Sequence, residues 1–295
     1  MFSGELYFNT KKELVTFYKL NHPEVYNNYL KTESEIRLCK FYGFRKLLNR
    51  GNQERISKFT ESLTEFNLAR ILIPKVLNTF QYEPNEYRGR EVDFKFNNIL
   101  ISVKSISAKD YEKLEFKEFQ KLRKEGGGEK NFQHKEFSNT SIEFVENSLG
   151  MPTMSRTETG NIGFSDSDLF QMSPVLKSLG LLDSFKEDIY KKVIFINNYS
   201  KHFHYYHIKD IANWYFELNI KNYIPIFYSD PSWYLRMFKQ EVKNNNVDAI
   251  VFMCCPDSIL VWPKNCFSDM IGNDRRLVVY SRDKDLLKVL DTIFT

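Results

Sequence analysis

The chain has 295 residues, 42% of them hydrophobic and 27% charged, with a formal charge of +4. This is globular composition, with length for one large domain or two modest ones. The longest apolar runs, KVIFI and DAIVFMCC, are too short to span a bilayer. The mild positive balance is compatible with nucleic acid without demanding it. Four cysteines, Cys39, Cys254, Cys255 and Cys266, form no CxxC pair. That fits a reduced, cytoplasmic protein. The start, MFSGELYFNTKKELV, lacks the basic-then-apolar order of a signal peptide.

Residues 1–58 read as a polar helical region, with apolar residues at helical spacing in TKKELVTFYKL, in the run from Pro23 and in ERISKFT. The basic stretch KFYGFRKLLNRGNQER within it reads as a solvated helical face, its alternative being a DNA-facing surface. Residues 59–295 read as an α/β domain carrying an inserted polar region at about 111–184. Thr60 or Ser62 is expected to cap a helix running to about Lys75, with a kink or short break at Pro74. A β-hairpin follows, REVDFKF and ILISVKS joined at Asn97-Asn98, a pair that tolerates the left-handed backbone of a tight turn. A charged helical run ends at Gly126-Gly127-Gly128, and Ser, Thr, Asn and Gly then dominate, with one short helix near DLFQMSPVLKSLGLL. Strands are expected at KKVIFINNYS, HFHYYHI, VDAIVFMCC, SILVW and RRLVVYS, and helices at KDIANWYFELN, PSWYLRMFKQEVKNNN and DKDLLKVLDTIF. This alternation predicts a mixed β-sheet covered by helices on both faces.

The chemistry concentrates between Glu61 and Lys104. Alternation along a strand puts Glu91, Asp93 and Lys95 on one face, and Ser102 with Lys104 on one face of the partner. The tight turn brings Asp93 and Lys104 side by side, and Glu65 lies on the preceding helix. Phosphodiester hydrolysis needs an activated water and a neutralised phosphate. Carboxylates hold Mg²⁺, the metal lowers the pKa of its water, and a lysine orients the nucleophile or offsets developing charge.

Glu65 on a helix, Asp93 on a strand and Ser102-Val103-Lys104 on the next resemble the PD-(D/E)xK nuclease superfamily, which includes most type II restriction endonucleases. The likeness covers about 45 residues closely, extending loosely through KKVIFINNYS and VDAIVFMCC. It implies a restriction-endonuclease-like fold and a metal-dependent endonuclease cutting double-stranded DNA. It further implies Mg²⁺ as cofactor, with Mn²⁺ as a substitute, and a homodimer. Asp93, Lys104, Glu65, Glu118 and Ser102 are then the site residues, with Asp93, Glu65 and Glu118 as metal ligands.

Ser102 departs from the pattern, which usually has a second metal-binding acid there. Three explanations stand. The acid has migrated to the following helix, where Glu118 is better placed than Glu112 or Glu115. A neighbour, Glu91 or Glu65, substitutes. Or the site is silent and the fold only binds DNA.

Other features weigh less. His202 and His204 share a strand face as zinc ligands do, yet nothing nearby completes a site. Pro256-Asp257 with Lys264 mimics the nuclease signature, but Pro263 suits a loop. Gly126 to Gly128 among lysines lacks the order of a nucleotide-binding loop.

Overall fold

The computed structural model describes residues 8–87, 92–106, 134–137, 140–146, 152–158, 166–186, 189–199, 205–217, 243–254, 259–262, 266–267, 270–271 and 274–294. Four helices open the chain: α1 (Lys11–Asn21), α2 (Pro23–Cys39), α3 (Phe44–Arg50) and α4 (Ile56–Val76). Thr10 caps α1 by accepting from the Glu13 N–H, and Pro23 starts α2 where its missing N–H costs nothing. Strands β1 (Gln81–Tyr82), β2 (Phe94–Phe96) and β3 (Ile99–Ile106) follow. Then come β4 (His134–Phe137), β5 (Thr140–Glu146), β6 (Pro152–Glu158) and α5 (Asp166–Ser184). The remainder comprises β7 (Lys191–Asn198), α6 (Tyr205–Phe216), β8 (Ala249–Cys254), β9 (Met270–Ile271), β10 (Asp274–Arg275), β11 (Leu277–Ser281) and α7 (Lys284–Phe294).

The chain divides into two compact units, Met1–Ser107 with Asp166–Thr295, and Ala108–Ser165. In the smaller, β4, β5 and β6 form an antiparallel sheet. In the larger, a six-stranded mixed sheet runs β1-β2-β3-β7-β8-β11. Strands β1 to β3 form an antiparallel meander, β3, β7 and β8 are parallel, and β11 returns antiparallel. The architecture is α/β, a mixed sheet flanked by helices. The central strands are apolar nearly throughout, as parallel strands covered on both faces must be.

Side-chain contacts assign the faces. Ser105 and Asn197 bond Thr64 of α4, and Phe195 packs on Phe294 of α7, so α4 and α7 cover one face. Leu100 clusters with Phe185, Tyr87 and Val92, and Lys192 lies over the Phe185 ring, so α5 leads onto the other. Tyr215 of α6 donates to Asp183 near the end of α5. No helix among the described residues is long and apolar enough to cross a membrane.

Several expectations need correction. Helix α4 begins at Ile56 and runs uninterrupted through Pro74. Thr60 and Ser62 do not cap it; both are interior, their hydroxyls donating to the carbonyls four residues back. Pro74 falls in the last turn, two residues before α4 ends at Val76, so the bond it cannot make lies at the end of the helix and little helix remains beyond it. Tyr205 to Ile208 begin a helix rather than continue a strand. Residues 259–262 are not a strand either, because the side chain of Asn67 on α4 takes their backbone groups. Its amide donates to the Ile259 and Leu260 carbonyls and its carbonyl accepts from the Trp262 N–H at 2.9 Å.

Candidate functional site

The hairpin turns as expected, with Asn97 left-handed at φ 48° and Phe96 opposite Ile99. Farther from the turn the ladder changes. Phe94 faces Ile101, and the Asp93 N–H donates to the same Ile101 carbonyl at 2.9 Å. Asp93, just before β2, and Phe94 thus both meet Ile101, the two-against-one geometry of a β-bulge, a device that re-aims a side chain. The Asp93 carboxylate turns back on β3, its Oδ2 accepting the Val103 N–H at 2.7 Å. The Asp93 carbonyl accepts the Glu83 N–H at 2.8 Å.

Glu65 projects from the middle of α4 and is buried. Its Oε1 accepts from Arg50 at 2.5 Å, and its Oε2 accepts from the Tyr82 hydroxyl. Arg50, at the end of α3, forks: Nη1 holds Glu65 and Nη2 holds Glu83. Its guanidinium also lies over the Tyr82 ring, 5.7 Å from the centroid. Glu83 has a left-handed backbone at φ 43° and a second cation, Lys46, 3.9 Å away. Thr64, next to Glu65, is the hub of a buried polar net. Its hydroxyl accepts from Ser105, next to Lys104, at 2.7 Å and from Asn197 at 3.0 Å, and lies 3.3 Å from the Tyr199 hydroxyl.

Electrostatics binds these groups into one cluster. Burial pushes the Glu65 carboxyl up, and Asp93 pushes it further; Arg50 and Tyr82 pull it back. Burial likewise raises Asp93, against the Val103 N–H and the charges of Lys104 and Arg50. Burial would lower Arg50, but Glu65, Tyr82, Glu83 and Asp93 prevail and hold it above its usual range.

Three of the sequence-picked residues, Glu65, Asp93 and Lys104, therefore belong to this cluster. Ser102 is wholly buried, and its hydroxyl has no hydrogen-bond partner among the described residues. Glu118 lies outside the described residues, as do Glu91, Glu112, Glu115, Gly126 to Gly128, His202, His204 and Lys264. The sequence reading missed Arg50 and Glu83. The only trace of Arg50 was its place in the basic run, and no spacing rule links Glu83 to Asp93 across the intervening loop.

The donors match a hard divalent cation in kind, being carboxylate oxygens. The Asp93 Oδ1 and Glu83 Oε2 atoms accept no hydrogen bond from a described residue, whereas both Glu65 oxygens are engaged. Among the described residues no three acid, histidine or cysteine side chains converge as a ready-made metal site.

Removing Arg50 is expected to leave Glu65 buried without its counter-ion. Arg50→Met should cost roughly 1–3 kcal/mol, discounted for the guanidinium's partial exposure. Adding Glu65→Gln should restore much of the loss. Urea midpoints of both singles and the double give the coupling; an unchanged Arg50→Met midpoint would show the fork contributes nothing.

Scans against protein-family models, curated proteins and solved structures find no match to the chain.

Proposed function

We propose that the chain is a Mg²⁺-dependent endodeoxyribonuclease that hydrolyses phosphodiester bonds in double-stranded DNA. The observation that carries this is the bulged Asp93, pinned by the Val103 N–H beside Lys104 and electrostatically coupled to Glu65. The element order supports it: an acid-bearing helix, an antiparallel meander, a helix and then parallel strands resemble the restriction-endonuclease-like arrangement. On this reading Asp93 holds the divalent ion, with Glu65, Glu83 or Glu118 completing the set. The bound ion supplies an acidic water and screens the phosphate. Lys104 orients the nucleophile or neutralises charge developing on the phosphate. Mn²⁺ substitutes for Mg²⁺. A homodimer matches the two strands of the duplex. Restriction is the role favoured, with repair, recombination and phage defence as the other settings for the same chemistry.

Supercoiled plasmid incubated with Mg²⁺, Mn²⁺ or EDTA tests the reading. Cleavage is expected only with a divalent ion, and Lys104→Ala should slow it by about 10²–10³-fold. Full cleavage by Lys104→Ala would sink the assignment.

A second reading is a silent DNA-binding module of the same fold. Ser102, buried and without a hydrogen-bond partner among the described residues, and Glu65, neutralised by Arg50, favour it. DNA binding without cleavage under every metal condition would select it.

A further inference from the structure

The basic run from Lys40 to Lys58 is absorbed only in part by the acid cluster. Lys40, Arg45, Lys46, Arg50, Arg55 and Lys58 stand there against the single acid Glu54, a net +5 where the whole chain carries +4. By sequence, this run therefore carries more than the chain's whole excess of positive charge. Arg50 is consumed by Glu65 and Glu83, Lys46 lies against Glu83, and Lys58 pairs with Glu61 at 2.8 Å. Lys40, Arg45 and Arg55 are exposed, and none pairs with an acid among the described residues.

The corner also adjoins the candidate site. The Tyr42 carbonyl accepts the Tyr82 N–H at 2.9 Å, which fixes the link before α3 to the edge strand β1. Tyr42 itself is an exposed aromatic between Lys40 and Arg45. From the same helix as Arg45, Arg50 reaches the carboxylates of Glu65 and Glu83.

We infer that the α2–α3 corner is a docking surface for the phosphodiester backbone of duplex DNA, with Lys40 and Arg45 contacting phosphates that flank the one presented to Asp93. The inference rests on the nuclease reading and adds the place where substrate is held. A solvated face would carry its cations interspersed with acids; here acids are nearly absent from the run. Such contacts carry no sequence information and position the duplex instead.

The test is binding of a duplex oligonucleotide of plasmid sequence, with Ca²⁺ in place of Mg²⁺, across roughly 50–200 mM salt. Paired Lys40→Glu and Arg45→Glu should weaken binding by about tenfold or more and flatten the log–log salt slope by about 2. Paired Lys40→Gln and Arg45→Gln should act in the same direction, and serves if charge reversal impairs folding. Lys288→Gln, at an exposed lysine on α7, should change neither quantity. If wild type cuts plasmid but both paired variants bind with its affinity and slope, the docking corner is overturned and the nuclease reading stands. A wild type that neither binds nor cuts DNA overturns both.

Discussion

Asp93→Asn is expected to keep the fold and lose at least about 10³-fold in Mg²⁺-dependent cleavage. Asparagine is the informative substitution because its side-chain oxygen can still accept the Val103 N–H, so the bulge keeps its tie to β3. What disappears is the charge. Burial already disfavours that charge, as the upward push on the Asp93 carboxyl shows. The variant should therefore unfold at a urea concentration equal to or above that of wild type. Rising stability with vanishing activity is what a residue strained toward function predicts. Asp93→Ala removes the acceptor as well, and should lose both cleavage and some stability. Full cleavage by Asp93→Asn would remove Asp93 from the chemistry.

Gly43→Ala should be the most damaging single-methyl change in the helical region, costing more than about 3 kcal/mol. Two effects coincide. Gly43 sits at φ 84°, where an L side chain is strained. Its missing Cβ would also overlap the Tyr82 carbonyl oxygen, a backbone atom that no rotamer change can move away. Relief requires α3 to separate from β1, which carries Arg50 off Glu65 and Glu83. Gly51→Ala is the matched control: φ is −60° there, and the nearest atom to an added Cβ is the Leu48 carbonyl oxygen at 3.2 Å. It should cost under about 1 kcal/mol. Urea unfolding of the two variants decides; comparable losses would refute the close approach at Gly43.

Local features of the fold were legible where a local rule governs. Asn97 takes the left-handed turn its residue type permits, and KKVIFINN, AIVFMC and LVVYS form strands. The features that failed to show are settled by partners distant in sequence. Residues 259–262 have strand composition, but Asn67 claims their backbone. The aromatic residues from Tyr205 alternate poorly enough to suit a strand or a helix, and they are helical. At the site, strict alternation placed Asp93 by counting from the turn, and the bulge shifts that count. Arg50 falls in a basic run that reads as a solvated helical face, yet it bridges two acids 15 and 33 positions away. Glu83 enters through a left-handed backbone that its residue type does not advertise.

The hydroxyl of Thr64 has a bearing on how the molecule assembles. Thr64 precedes Glu65, Ser105 follows Lys104, and their side chains meet in the core at 2.7 Å. Were α4 to settle one turn out of place, the wholly buried Asn197 amide would lose its Thr64 acceptor, at about 1–3 kcal/mol. Greasy contacts alone tolerate such slippage, since one aliphatic neighbour serves much like another. The threonine works as a dowel between helix and sheet, so the docking step that delivers Glu65 to Asp93 is also the step that rejects a misaligned helix.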